Sequence, residues 1–128
     1  MWVRIGSFPV RPDQVINLRD TYNTVAVPKV RAFPGNRGCL LLEPTSAAEP
    51  FIVMTLWEDR AAADTYEASG AAAEVVSLVR GFFAGPPTLR SYESASTAGL
   101  PQTVSNREDP LQVSGDIVDT RPSGTKPR

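Results

Sequence analysis

The sequence predicts an α+β domain with the element order β-α-β-β-α-β and a four-stranded antiparallel sheet. Two observations lead there. Four short runs rich in β-branched, aliphatic or aromatic residues are separated by stretches whose apolar residues recur at spacings of three and four. The helical stretches follow the first and the third of those runs, which is the ferredoxin-like split order.

Trp2-Val3-Arg4-Ile5-Gly6-Ser7-Phe8 reads as the first strand, limited by Pro9. Arg11-Pro12-Asp13 opens a helix, with proline near its permissive first position and Asp13 in the first turn. Val15, Leu18, Tyr22 and Val25 lie on one face of it. Pro28 should kink or restart this helix, and Phe33-Pro34-Gly35 stops it. Asn36-Arg37-Gly38 reads as a turn without a phosphate-loop pattern, so it is no nucleotide site. Cys39-Leu40-Leu41-Leu42-Glu43 is a second strand ended by Pro44, and Thr45 to Pro50 is a turn.

Phe51-Ile52-Val53-Met54-Thr55-Leu56-Trp57 is the clearest strand. It is apolar at nearly every position, so both of its faces need covering. Asp59 can cap a helix from Arg60 to Glu67, which Ser69-Gly70 breaks. Ala71 to Phe83 is a second helical stretch with Val75, Val76, Leu78, Val79, Phe82 and Phe83 on a broad apolar face. Gly85-Pro86-Pro87 ends it, and Thr88-Leu89-Arg90-Ser91-Tyr92 is the last strand.

From Ser94 onward there is no aromatic residue, and glycine and proline recur. The expectation is a domain over 1–93 and a flexible tail over 94–128. Leu111-Gln112-Val113 and Ile117-Val118 are the stickier patches of that tail, and a docking role for them defines a protein-interaction reading. A domain of about 93 residues buries only about 60–65% of its unfolded surface. One layer of helices also leaves a sheet face open. A second copy solves both problems, so a homodimer is expected.

Composition removes several function classes. Formal net charge is -1, so nothing electrostatic favours nucleic acid or an anionic membrane. No apolar run is long enough to span a bilayer, and Met1-Trp2-Val3-Arg4 does not read as a signal peptide, so the expected compartment is the cytoplasm. The single cysteine, Cys39, beside three leucines reads as buried packing. There is no histidine. That removes Ser-His-Asp and Cys-His catalysis, the usual haem ligand and most zinc sites. It also removes the commonest general base near neutral pH, so any chemistry must use carboxylates, Tyr, Trp, Arg, Lys or the substrate itself.

Several landmarks stand together: the Val-Arg-Ile first strand, Arg-Pro-Asp into a helix, Phe33-Pro34-Gly35-Asn36-Arg37-Gly38, Leu56-Trp57-Glu58-Asp59, an Ala-rich helix pair, and a closing Leu89-Arg90-Ser91-Tyr92-Glu93. In this order they resemble the antibiotic biosynthesis monooxygenase family of dimeric α/β barrels, over about Met1 to Glu93. The resemblance implies a pocket between the sheet and the helices of each subunit. It also implies one of several activities. Some members are cofactor-free oxygenases that convert electron-rich polycyclic phenols to quinones, and others degrade haem.

Carried over residue by residue, the oxygenases' strand-end Trp matches Trp57, and their Asn four residues earlier falls at Val53. Their pocket Tyr falls near Ala63, with Tyr66 as the candidate, and their pocket Arg falls near Ser77, with Arg80 the nearest guanidinium. The haem-degrading members need a His and a first-strand Asn. Here His is absent and the strand position is Gly6, which sets that branch aside.

Oxygenation without a cofactor requires a site that excludes water, holds a ring flat and stabilises a developing phenolate. Trp57, Arg80 and Tyr66 are the candidate catalytic residues. Arg4, Tyr22, Phe51, Val53 and Thr55 are the candidate substrate-binding residues, because Phe51, Val53, Thr55 and Trp57 share one strand face. Each also has a purely structural reading as core, cap or β-former. The expected ligand is an aromatic small molecule, with no metal and no cofactor. A non-catalytic ligand-binding protein of the same fold is the alternative, motivated by Val53.

Overall fold

The computed structural model describes residues 1–100. The chain divides into a unit over Met1–Thr97 and a second over Ala98–Arg128. The sticky patches at 111–113 and 117–118 lie outside the described residues.

The first unit has the expected order. Strand β1 (Trp2–Phe8) is followed by helices α1 (Val15–Thr21) and α2 (Val27–Arg31), then β2 (Asn36–Leu42) and β3 (Phe51–Trp57). Helices α3 (Arg60–Ala68) and α4 (Ala71–Val79) and strand β4 (Thr88–Glu93) complete it. The sheet order is β2-β3-β1-β4 with every neighbouring pair antiparallel, the ferredoxin-like arrangement.

Between α1 and α2 the helix widens into a π turn over Tyr22–Ala26, where the Val27 N–H donates to the Tyr22 carbonyl five residues back. Two features explain it. Pro28 has no N–H to offer the Thr24 carbonyl, so the regular ladder is already broken there. The buried residues of this segment are Leu18, Tyr22, Ala26 and Val30, a strict repeat of four. In a regular α-helix that spacing drifts by about 40° per step, and the wide turn takes back part of the drift. The expected face through Val25 is therefore corrected: Val25 is exposed and Ala26 faces the core.

Asn36-Arg37-Gly38 is also corrected, from a turn to the start of β2, where the pairing slips by one residue into a bulge. Asn36 holds that bulge together. Its Oδ1 accepts from the Gly38 N–H at 3.1 Å and from Arg31 Nη1 at 2.8 Å, and its Nδ2 donates to the Gly38 and Leu56 carbonyls. Just before it, Gly35 has φ 86°, and a Cβ there would stand 2.5 Å from the Ala62 Cβ. Asp59 caps α3 as expected, its Oδ1 accepting from the Ala62 N–H at 2.9 Å.

Register sets what each sheet face carries. Trp2, Arg4, Gly6 and Phe8 of β1 pair with Trp57, Thr55, Val53 and Phe51 of β3, and all project toward the helices. The core on that side forms two clusters. One holds Phe8, Leu18, Phe51 and Val79. The other holds Val30, Trp57, Ala63 and Tyr66.

Candidate functional site

A cavity of about 210 Å³ lies between the two clusters, with Phe8 and Val79 of one and Val30 and Tyr66 of the other in its walls. The sheet supplies the floor through Arg4, Gly6, Val53 and Thr55. Helix α4 supplies an aliphatic wall through Val75, Val76 and Val79, and Leu89 of β4 stands at an exposed edge. A dry cavity of about 150 Å³ holds benzene. This one therefore suits one or two fused rings.

Polar groups reach the cavity at a few points. Gly6 and Val53 stand directly opposite each other in the sheet and contribute none. Thr55 does. Its Oγ1 accepts a hydrogen bond from Trp57 Nε1 at 2.9 Å. With that lone pair engaged by a donor, the threonine's own proton is free to point into the cavity.

Tyr22 and Tyr66 are both buried and both line the cavity. Cys39 lies near both phenols and is the cross-strand partner of Thr55. The two phenols, the thiol and the threonine hydroxyl thus gather on one side. Tyr22 and Cys39 are neighbours, but they do not meet hydrogen-bond geometry, and the Tyr22 hydroxyl has no partner among the described residues.

Burial sets the protonation of these groups. It pushes Tyr66 up to about 12, with the fields of Cys39, Glu67 and Glu74 adding to the effect. It pushes Tyr22 still higher, with Cys39 as the second cause. The Cys39 thiol is also raised by burial, opposed by Tyr22 and Arg31. At neutral pH all three are uncharged, so the phenols can donate a hydrogen bond but cannot act as bases.

Charge enters at another point. Arg4 and Glu67 form an ion pair, and both line the cavity. The guanidinium is mostly buried and the carboxylate is about one-third exposed, so the pair sits at the rim.

Of the residues singled out from sequence, Arg4, Tyr22, Val53, Thr55 and Tyr66 line one cavity. Three do not. Phe51 is locked in the first core cluster, stacked at 6.5 Å from Phe8. Trp57 is fully buried behind Thr55, packed against Tyr66 at 4.8 Å, and reaches the cavity only through its bond to Thr55. Arg80 is exposed on the short turn after α4 and is not among the lining residues. The expectation that one face of β3 forms the cavity wall thus holds for its two middle residues, because the helices clamp both ends of the strand. Glu67 was missed: an acidic residue late in a helix reads as a solvated position, and only its contact with Arg4 reveals it.

No group of three or more His, Cys, Asp or Glu able to hold a metal occurs among the described residues. None of the described helices is long and apolar enough to cross a membrane.

Three solved structures share the fold. Rv0793 from Mycobacterium tuberculosis is 20% identical over 77% of this chain and 98% of its own, with a TM-score of 0.63. SnoaB, a cofactor-independent oxygenase from Streptomyces nogalater, is 12% identical over 77% and 97%, with a TM-score of 0.64. MhuD, solved as a variant with two manganese protoporphyrin IX molecules per active site, is 25% identical over 77% and 99%, with a TM-score of 0.64. No curated protein matches the sequence.

A porphyrin does not fit the residues present here. The chain has no histidine, its cavity-lining phenols are held protonated, and about 210 Å³ is far below the size of a tetrapyrrole. Residues 1–78 match the family model described as antibiotic biosynthesis monooxygenase, and with the split βαββαβ sheet and its apolar cavity this chain belongs to that family.

Proposed function

We propose that this protein is a cofactor-independent monooxygenase of a small hydroxylated aromatic compound, working as a homodimer. The observation that carries the reading is a ring-sized apolar cavity with Thr55 on its floor and one ion pair at its rim. The overall reaction is the conversion of a phenol to a quinone by dioxygen. One oxygen atom enters at a ring carbon and the other leaves as water, so no external reductant is consumed. The protein's share is to exclude water, to hold the ring flat between the Gly6–Val53 floor and the aliphatic wall of α4, and to stabilise the oxyanion through the hydroxyl of Thr55 and the guanidinium of Arg4.

The cavity volume narrows the substrate. Naphthols and naphthalenediols fit within that volume. The test is oxygen uptake over naphthols, naphthalenediols and hydroxyanthrones without added cofactor, beside Thr55→Val and Trp57→Phe variants. Uptake with quinone formation, reduced in both variants, supports the proposal. Binding of the same compounds without uptake above the uncatalysed rate refutes catalysis and leaves a ligand-binding protein. That second reading is favoured by Val53, at which the sequence departs from the Asn of the oxygenases.

The homodimer is supported by the other sheet face. Ile5, Ile52, Met54, Leu56, Leu40 and Leu42 alternate with the helix-facing residues, and Leu40 and Leu42 are exposed. Light scattering that gives a monomer mass would refute it.

A further inference from the structure

We infer that Glu67 is the base of this cavity: its carboxylate takes the ligand's phenolic proton while Arg4 turns to the phenolate left behind. The inference rests on the aromatic-ligand reading above. Four titratable side chains line the cavity: Arg4, Tyr22, Tyr66 and Glu67. Arg4 is a cation and cannot accept a proton. The two phenols are buried and neutral, with burial opposing their ionisation. No histidine exists anywhere in the chain. The ion-paired carboxylate of Glu67 is what remains.

The geometry suits the step. Before transfer, Arg4 and Glu67 neutralise one another at the rim. A phenol whose hydroxyl meets this pair at the rim loses its O–H bond as a new O–H bond forms on Glu67 and Arg4 turns from the carboxylate to the phenolate oxygen. The products are glutamic acid, a phenolate and the unchanged guanidinium. Net charge in the cavity is the same before and after, so no charge has to be created in an apolar space. Arg4 exchanges one anionic partner for another without leaving its place on β1. The groups facing Glu67 are Arg4 from β1 and Tyr66 from its own helix, and Glu74 of α4 also acts on Tyr66. Tyr66 stays neutral throughout, so the carboxylate and the guanidinium govern the transfer.

The experiment uses 4-nitrophenol, a single-ring phenol whose phenolate is yellow. Calorimetric titration in buffers of different ionisation heat counts the protons taken up on binding, and difference spectroscopy reports the form of the bound ligand. Above the ligand's own ionisation range, the wild-type protein is expected to bind yellow phenolate and take up about one proton. Its Kd then rises about tenfold per pH unit, as linkage requires. Glu67→Gln is expected to bind yellow phenolate with no proton uptake and a Kd independent of pH, and Glu67→Ala should behave the same way. A colourless complex that takes up a proton means the ligand is bound as a phenol, and it overturns the inference. So does a yellow wild-type complex without proton uptake, or a failure of 4-nitrophenol to bind. If the naphthols also fail to bind, the aromatic-ligand reading falls with it.

Discussion

Replacing Tyr22 by phenylalanine should make the protein more stable. The side chain is 3% exposed, and its hydroxyl is sealed from solvent without a hydrogen-bond partner. A buried hydroxyl in that state costs about 1–3 kcal/mol of desolvation. Tyr22→Phe removes the oxygen and leaves the ring packed between α1, α2 and the sheet. The lost contacts of one atom offset only a few tenths of a kcal/mol. The net expectation is a gain of about 1 kcal/mol or more. For a unit of this size that raises the melting temperature by about 4–8 °C. Scanning calorimetry of the unliganded protein measures it directly. A fall in melting temperature of similar size would show that Cys39 or a trapped water already satisfies the hydroxyl, and the reasoning would be wrong.

Other substitutions test other parts of the site. Thr55→Val leaves the buried Trp57 Nε1 without an acceptor and should cost about 1–3 kcal/mol. In a Trp57→Phe background that cost should largely vanish, which a double-mutant cycle in urea resolves. Gly35→Ala places a methyl 2.5 Å from the Ala62 Cβ at φ 86°. Left-handed backbone alone costs an alanine about 1–2 kcal/mol, so a total above about 2 kcal/mol is expected in chemical denaturation.

Alkaline pH supplies a further test. Tyr66 titrates near 12 in the fold and near 10 when unfolded. Above the unfolded value the unfolded chain releases a proton that the folded chain retains. Stability is therefore constant below pH 10 and falls as the pH rises through 10 to 12. Tyr66 contributes a slope of about 1.4 kcal/mol per pH unit, and Tyr22, shifted in the same direction, steepens it. Unfolding midpoints across that range that do not move would refute the burial of both phenols.

The strand order and helix positions were legible because they rest on local chemistry: Asp59 before an alanine-rich helix, Gly85-Pro86-Pro87 after one, and an unbroken apolar run for β3. The site was legible only in part. A two-residue period places Phe51, Val53, Thr55 and Trp57 on one face but cannot say which of them a helix will cover. The answer depends on tertiary packing, which seals Phe51 and Trp57 at the ends and leaves Val53 and Thr55 on the cavity floor. Arg80 carries a charge suited to an anion, yet its helix ends one residue earlier and releases it to solvent. Glu67 required the opposite information, a contact 63 positions away in the chain with Arg4. Asn36 was misread because a bulge stabilised by its own side chain has the composition of a turn.

The π turn makes the number of residues between Tyr22 and Ala26 a matter of phase. Removing one of Asn23, Thr24 or Val25 would restore an ordinary α-helical ladder through the segment. Eleven ordinary steps of about 100° would then separate Leu18 from Val30, about 20° past three full turns, so α1 and α2 would keep nearly the phase that the wide turn gives them now. Leu18 and Val30 would both stay on the buried side. What the extra residue shapes is the bulged turn itself, which brings Tyr22 to the cavity wall. A family member with one residue fewer at this point can therefore keep the same helix faces and still present a differently shaped wall.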